Sequence, residues 1–518
     1  MSEEKSVLDA LEKTGDLYRD QLAVRDPEKA LSWGQLIEKS KVAGQCIASI
    51  VQGQVGFPAV ILSDKNVELL TAMTGVIYAG GFYLVLNPEQ PAQRMEKILE
   101  VSCPKLVICQ AKYRDKLLEA GWTGTIYDLD YLTEEIEPFS RESMAAVREQ
   151  IHRDSPLYGI FTSGSTGCPK CVLVSHGAVM DFIGHFAKIF DFSSDDVIAS
   201  QAPFDFDVSI KDIFTAFFTG ASLLLIPREY FSTPKTLMDY LCDNHVTNLT
   251  WAVSALCIIS GLNCFTYRRP TDLKRVMFSG EVMPIKQLNL WMDAIPNARF
   301  VNLYGPSEIT CNCTYYEIQR RFEKDEKLPL GKAFPGREVL LLDSKGQVVK
   351  KANCPGEICV MGESLAIGYY HNPEETDKHF VKYGPDHRRM YQTGDLAYYG
   401  DDGEMYFAGR RDFQIKHMGH RIELEEIERN IDAVDGVDRS ICSFDEKKNR
   451  IYLYYKGRID KKTLHRQIKD SLPLYMVPNK FFHVRDFVLN KNGKADRRAL
   501  SSLEVIEDQS SSASEVTA

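Results

Sequence analysis

The stretch GIFTSGSTGCPKCVLVSH, Gly159 to His176, decides how this chain is read. A short apolar run feeds a loop of two glycines, five hydroxyl or thiol side chains and one lysine. Glycines let backbone N–H groups turn toward an anion, and Ser163, Ser165 and Thr166 add hydroxyl donors, so the loop is suited to phosphate. It is not a Walker loop, because Lys170 follows Pro169 and G-x-x-x-x-G-K-[ST] is not met. Taken alone, a Gly/Ser stretch is more often a plain turn.

The pattern around it sets the fold class. From Leu31 to Leu342 short apolar runs alternate with amphipathic segments: PAVILS from Pro58, PKLVIC from Pro104, SLLLIP from Ser222, FVNLYG from Phe300 and VLLLDS from Val339. That rhythm predicts an α/β fold, a large N-terminal domain of parallel-rich sheets covered by helices. After YFAGRRDFQIK the pattern changes. HRIELEEIERNI reads as a helix, RIYLYYKG as a strand, DKKTLHRQIKDSL as a helix and KFFHVRDFVL as a strand, a small α+β domain. The expected division is 1–411, 412–502 and a polar, Ser-rich tail, 503–518, that should be disordered.

Bulk properties narrow the partners. A chain of 518 residues exceeds the usual size of a single core, and 44% apolar with 26% charged residues is ordinary for globular proteins. Lys+Arg 62 against Asp+Glu 72 gives a net charge of −10 with no basic stripe, which argues against nucleic acid. MSEEKSVLDALEKTG has acids where a signal peptide has a basic region, and no apolar run is long enough for a bilayer, so no membrane partner and a cytoplasmic location are expected. Thirteen scattered cysteines suit reduced thiols. The pairs in CPKC and CNC lack the further ligands of a zinc site.

Three more stretches give the loop its context. They are NLYGPSEIT at Asn302, YQTGDLAYYGDDGEMYFAGRRDFQIKHMGHRIELEEIE at Tyr391, and LPLYMVPNKFFHVRDFVLNKNGKADRRAL at Leu472. In this order and spacing the four resemble the adenylate-forming superfamily, which includes acyl-CoA synthetases, luciferases and peptide-synthetase adenylation domains. LSWGQL, AGGFYLVLNPEQPAQR and GEICVMGESLAIGYYHNPEET extend the resemblance over most of the chain.

The resemblance implies ATP-dependent acyl activation with Mg²⁺, followed by transfer to a thiol. Thr162, Ser163, Gly164, Ser165, Thr166, Gly167 and Lys170 match the loop that holds the β and γ phosphates. Glu308 matches the acid that holds Mg²⁺. Asn302, Tyr304 and Gly305 match the adenine and acyl side, Asp395 the ribose acid, Arg410 the nearby arginine and Asp412 the hinge. Lys494 matches the catalytic lysine that bonds the attacking carboxylate and the α-phosphate. The resemblance further implies a mobile small domain, whose rotation removes this lysine and presents the loop near Lys416 and Gly419 to the thiol.

For the acid, APFDFDVSIKDIFTAF decides the class. Asp207 matches the family's partner for an amino acid's α-ammonium, a sensible use of a desolvated carboxylate. If the segment is helical, Asp207 and Lys211 could instead pair with each other at a spacing of four. The remaining pocket positions carried over are Val208, Thr250, Met277, Ser279, Leu303, Cys311 and Asn312. FSGEVMP and RIELEEIE resemble D-alanine:carrier protein ligases and favour a small amino acid. A polar or acidic one, with Lys211 on its side chain, is the alternative. Two departures stand out. Cys171 replaces the usual glycine after the loop lysine, where it could restrict the loop or be oxidised, and Glu425 replaces a common glycine. No carrier segment is recognisable, so the expected acceptor is the phosphopantetheine arm of a separate carrier protein, ahead of coenzyme A. A non-catalytic nucleotide-binding protein should have lost Lys494, Glu308 or Asp395, and all are present.

Overall fold

The computed structural model describes residues 4–133, 140–164, 168–446, 448–488, 497–503 and 505. Lys494, the loop residues Ser165, Thr166 and Gly167, and nearly all of the tail lie outside the described residues.

Among the described residues, two large sheets carry the expected parallel cores. In the nine-stranded sheet, six neighbours run parallel in the order Arg299–Tyr304, Arg275–Ser279, Asn248–Ala252, Val197–Ser200, Ser222–Leu225 and Leu22–Arg25. In the seven-stranded sheet, Pro156–Thr162, Phe82–Leu86, Pro58–Leu62, Leu106–Cys109 and Ile126–Asp128 are parallel, and Lys170–Ser175 adds an antiparallel strand. Pro58–Leu62 and Phe82–Leu86 are buried along their whole length, as strands covered on both faces must be. The Val339 run differs. It belongs to Arg337–Leu342 at one side of a five-stranded sheet in which every neighbouring pair is antiparallel.

Past Asp412, HRIEL is not helical throughout. His420–Glu423 pairs antiparallel with Gln414–His417, and the helix begins only at Leu424. Met418 and Gly419 between them both have positive φ, 53° and 82°, the backbone of a two-residue hairpin turn. Helices Leu424–Asp432 and Lys461–Ser471 then pack on Val437–Asp445, Arg450–Gly457 and Lys480–His483 around their own apolar cluster of Ile427, Leu453, Leu464 and Phe481.

Cys171 proves neither exposed nor part of a flexible loop. It lies on strand Lys170–Ser175 with no exposure, and burial pushes its thiol pKa up, so ready oxidation is not expected. Its Sγ occupies the space above Gly159, where a Cβ would approach it to 2.6 Å.

The fold holds the site at the C-terminal ends of parallel strands, where Tyr304 closes Arg299–Tyr304 and the chain turns at Gly305. A Cβ on Gly305 would lie 2.5 Å from the Asn312 Cα and 2.8 Å from the Cys311 carbonyl oxygen, both backbone atoms that cannot swing aside. Gly305→Ala should therefore lower stability by about 1–3 kcal/mol, read as a shift in the urea midpoint, by forcing this loop apart.

Candidate active site

One cavity joins most of the residues singled out in the sequence. Asp207, Lys211, Ser279 and Cys311 line one end, Asp395 and Arg410 another, and Thr162 and Ser163 a side. Val208 and Gly305 also line it. Thr250, Met277 and Leu303 are buried and do not line it; Asn312 reaches it through Lys211. Asn302 turns its amide to the Pro329 carbonyl at 2.8 Å.

The acidic end is built by a strained loop. Thr310 and Cys311 both adopt left-handed backbone, φ 54° and 71°, which costs energy for non-glycine residues and is held by the Thr310 hydroxyl donating to the Ser364 carbonyl at 2.7 Å. The detour sets the Cys311 thiol 3.2 Å from the Asp207 carbonyl and Asn312 beside Lys211. Asp207, at the start of helix Val208–Thr219, accepts a 2.7 Å hydrogen bond from Ser307. Burial raises its pKa, although Ser307 and Lys211 pull the other way.

Lys211 does not form the pair with Asp207 that a spacing of four allows. Its ammonium, 1% exposed, donates to Ser279 Oγ at 3.1 Å and Asn312 Oδ1 at 2.9 Å, both neutral acceptors. Burial lowers its pKa, opposed by Cys311, Asp207 and Asp212 at longer range. A buried cation with neutral partners is costly unless something negative comes to it.

The other end is already crowded with charge. Tyr304 donates to Asp395 at 2.6 Å, Arg410 pairs with Asp395 and also with Asp412 at 2.7 Å, and the Lys416 ammonium lies 5.7 Å above the Tyr304 ring. Lys170 is not free to solvent. It pairs at 2.8 Å with Glu375, whose carboxyl is held at about 2 despite burial by Lys170, His379 and Lys378.

Glu308 is wholly buried, and Arg421 Nη1 donates to both of its oxygens at 2.8 Å while Tyr369 donates at 2.7 Å. Burial opposes its ionisation, yet Arg421 and Tyr369 keep the carboxyl at about 2. One carboxylate completed by substrate phosphates is a normal Mg²⁺ donor set. In this arrangement, however, one guanidinium nitrogen bridges both carboxylate oxygens, so the residues present do not offer it to a metal ion.

Sequence reasoning did not find Glu375, Arg421, Tyr369 or Ser307 as partners. Glu375 and Arg421 stand in quoted motifs, but their pairing spans 205 and 113 residues, beyond any local spacing rule.

Residues 11–370 match the family described as AMP-binding enzyme. Zwittermicin A synthase ZmaJ of Bacillus cereus is 31% identical over 93% of this chain and 92% of its own length. Surfactin synthase subunit 1 of Bacillus subtilis is 29% identical over 96% of this chain, which spans only 14% of that relative. Among solved structures, holo-PA1221, an NRPS protein containing adenylation and PCP domains, superposes with a TM-score of 0.82 at 22% identity, over 98% of this chain and 86% of that one. The Vibrio cholerae adenylation domain AlmE in complex with glycyl-adenosine-5'-phosphate (0.82, 20%, 97% and 98%) and o-succinylbenzoate CoA synthetase of Bacillus subtilis (0.82, 20%, 96% and 98%) share the fold. No helix among the described residues is long and apolar enough to cross a membrane.

If Lys211 is kept for a ligand and not for packing, Lys211→Met should hold or raise the melting temperature while weakening ligand-dependent activity at least tenfold. A structural lysine would show the reverse, a drop in melting temperature with activity per folded molecule preserved.

Proposed function

The chain belongs to the AMP-binding enzyme family and is an adenylate-forming enzyme that uses ATP, and from that premise we propose that it activates an amino acid and passes the aminoacyl group to a carrier-protein thiol. The observation that carries this reading is the pair of unlike buried charges, Asp207 and Lys211, facing one cavity without pairing with each other. Asp207 takes the substrate ammonium, as the acid that lacks a full positive partner. Lys211, backed by Ser279 and Asn312, takes a side chain rich in acceptors, so a polar or acidic amino acid is the substrate class. D-alanine is the second reading, favoured by FSGEVMP and RIELEEIE; its methyl group would leave the Lys211 ammonium without an anion.

In the first step the substrate carboxylate oxygen bonds the α-phosphorus, the bond from that phosphorus to the bridging oxygen breaks, and pyrophosphate leaves. Asp395 and Tyr304 position the nucleoside, Lys170 faces the departing phosphates, and Lys494 bonds the carboxylate and α-phosphate, each held in line for attack. The Mg²⁺ expected at Glu308 would find that carboxylate occupied by Arg421. In the second step a thiol sulfur bonds the acyl carbon, the bond from that carbon to the phosphate oxygen breaks, AMP leaves, and the thiol proton passes to solvent. The segment from 412 to 502 moves about Asp412 between the steps, so that Lys494 serves the first and the hairpin near Lys416 and Gly419 the second. A separate phosphopantetheinylated carrier is the acceptor we favour, supported by adenylation–carrier architecture in structural neighbours. Coenzyme A is the alternative, which the structural likeness to a CoA synthetase keeps in view.

Amino-acid-dependent exchange of labelled pyrophosphate into ATP tests the reading, across aspartate, glutamate, asparagine, serine, glycine and both alanines. Exchange should be strongest with an acidic or polar residue, and Asp207→Ala and Lys494→Ala should each reduce it at least a hundredfold. Exchange with D-alanine alone selects the second reading; exchange with none of them, or only with fatty or aryl acids, overturns the amino acid assignment.

A further inference from the structure

The wall of the cavity that carries Asp205, Phe206 and Asp207 is neither helix nor strand. It runs from the end of strand Val197–Ser200 to the start of helix Val208–Thr219, with a backbone bond inside it from Phe206 N–H to the Pro203 carbonyl at 3.1 Å. A segment with little regular bonding takes its position from whatever grips its two ends. At the near end the grip is Lys65. It lies between strand Pro58–Leu62 of the seven-stranded sheet and helix Val67–Tyr78, whose first turn is capped by Asn66, 2.8 Å from the Leu69 N–H. The Lys65 ammonium crosses to the nine-stranded sheet and donates to the Ser200 carbonyl at 2.6 Å, 5.5 Å from the centre of the Phe204 ring. At the far end, one turn into the helix, stands Asp212, 1% exposed. Among the described residues neither of its carboxylate oxygens closes a hydrogen bond, and nor does the buried Ser200 hydroxyl.

We propose that Lys65 and Asp212 are positioning residues for the amino acid: as one charge pair they fix both ends of the segment 201–207 and so aim the Asp207 carboxylate at the substrate ammonium. The inference rests on reading Asp207 as the ammonium acid. A hydrogen bond from a charged donor is about twice as strong as a neutral one, and an ammionium near an aromatic face gains again. Burial pushes the Asp212 carboxyl up and the Lys65 ammonium down, and each draws the other back toward its charged form. Lys211 also acts on Asp212, while Lys211 itself feels Cys311, Asp207 and Asp212. If packing were the task at position 212, an apolar side chain would cost less than a carboxylate without hydrogen bonds. What the carboxylate supplies is charge opposite Lys65.

Neither Lys65 nor Asp212 lines the cavity, so each acts through the wall between them. Loss of the Lys65 charge frees the Ser200 carbonyl and the Phe204 ring together, and the displacement passes along the segment to Asp207. That carboxylate is set by a 2.7 Å hydrogen bond from Ser307, a geometry that weakens steeply with misalignment. The nucleotide side is mounted elsewhere: Tyr304 ends strand Arg299–Tyr304 and Asp395 belongs to strand Arg388–Tyr399. The effect therefore falls on recognition of the ammonium and leaves ATP alone.

The test is steady-state pyrophosphate exchange by the full chain with the amino acid that supports it best, and inhibition of that exchange by the same acid lacking its α-ammonium. Lys65→Met should raise KM for the amino acid about tenfold, with kcat, KM for ATP and the inhibition constant of the des-amino acid each within about twofold of wild type. Lys65→Arg, which keeps the cation and a donor for the carbonyl, should bring KM back to within about threefold. Asp212→Asn, nearly the same shape, should raise KM at least about threefold, and its effect should shrink when combined with Lys65→Met, as for two members of one pair. Unchanged KM in Lys65→Met and Asp212→Asn, equal weakening of the amino acid and its des-amino analogue, no rescue by Lys65→Arg, or simple additivity overturns the proposal alone. Failure of every amino acid to support exchange by wild type overturns it together with the amino acid assignment.

Discussion

A carboxylate with no solvent contact must be answered by a positive charge, and Glu308 makes that demand at the centre of this molecule. The answer comes from Arg421, far along the chain, and much of the surrounding arrangement follows from bringing it there. The hairpin must turn in two residues, Gly419 must tolerate a positive φ, and the helix after it must seat Glu426 against Arg94. The Ser163 hydroxyl then finds a carbonyl, and Tyr369 completes the coordination of Glu308.

At the opposite end of the cavity the same physics runs with the answer withheld. Asp207 has a serine hydroxyl and Lys211 has two neutral oxygens, and neither is given the other. Neutral hydrogen bonds reduce the desolvation cost of a buried charge without cancelling it. What remains is a standing preference for a ligand bearing both signs of charge. The left-handed backbone at Thr310 and Cys311 is part of that arrangement, since it sets Asn312 beside Lys211 and the Cys311 thiol against the Asp207 carbonyl. Local strain of this sort is characteristic of sites where geometry outweighs stability.

Much of the framework could be read from the chain because it is locally encoded. Continuous apolar runs such as PAVIL became fully buried parallel strands, and DKKTLHRQIKDSL became a helix whose first turn is capped by the Asp460 side chain. RIEL misled because alternation over four residues supports a strand only when a partner strand lies beside it, and the partner, QIKH, carries no strong signal of its own. The antiparallel sheet from Arg337 to Arg410 was equally unmarked, since VLLLDS looks the same in either kind of sheet. In the cavity, residue types pointed to chemistry, but which charge meets which did not follow from them. Lys211 lies one helical turn from Asp207 and still turns away, and Lys170 meets a glutamate from a motif that gave no hint of it.

The latch formed by Arg94 and Glu426 lies apart from that of Glu308 and Arg421, and of the four side chains only that of Arg421, 19% exposed, is more than marginally open to water. Pulling either open part-way strips a charge of its partner before solvent can reach it, so half-open positions are the most expensive on the route. If the segment beyond Asp412 moves as proposed, two such latches favour its end states over any position between them. Seclusion also shields them from mobile ions, so added salt should leave the balance between those states nearly where it was.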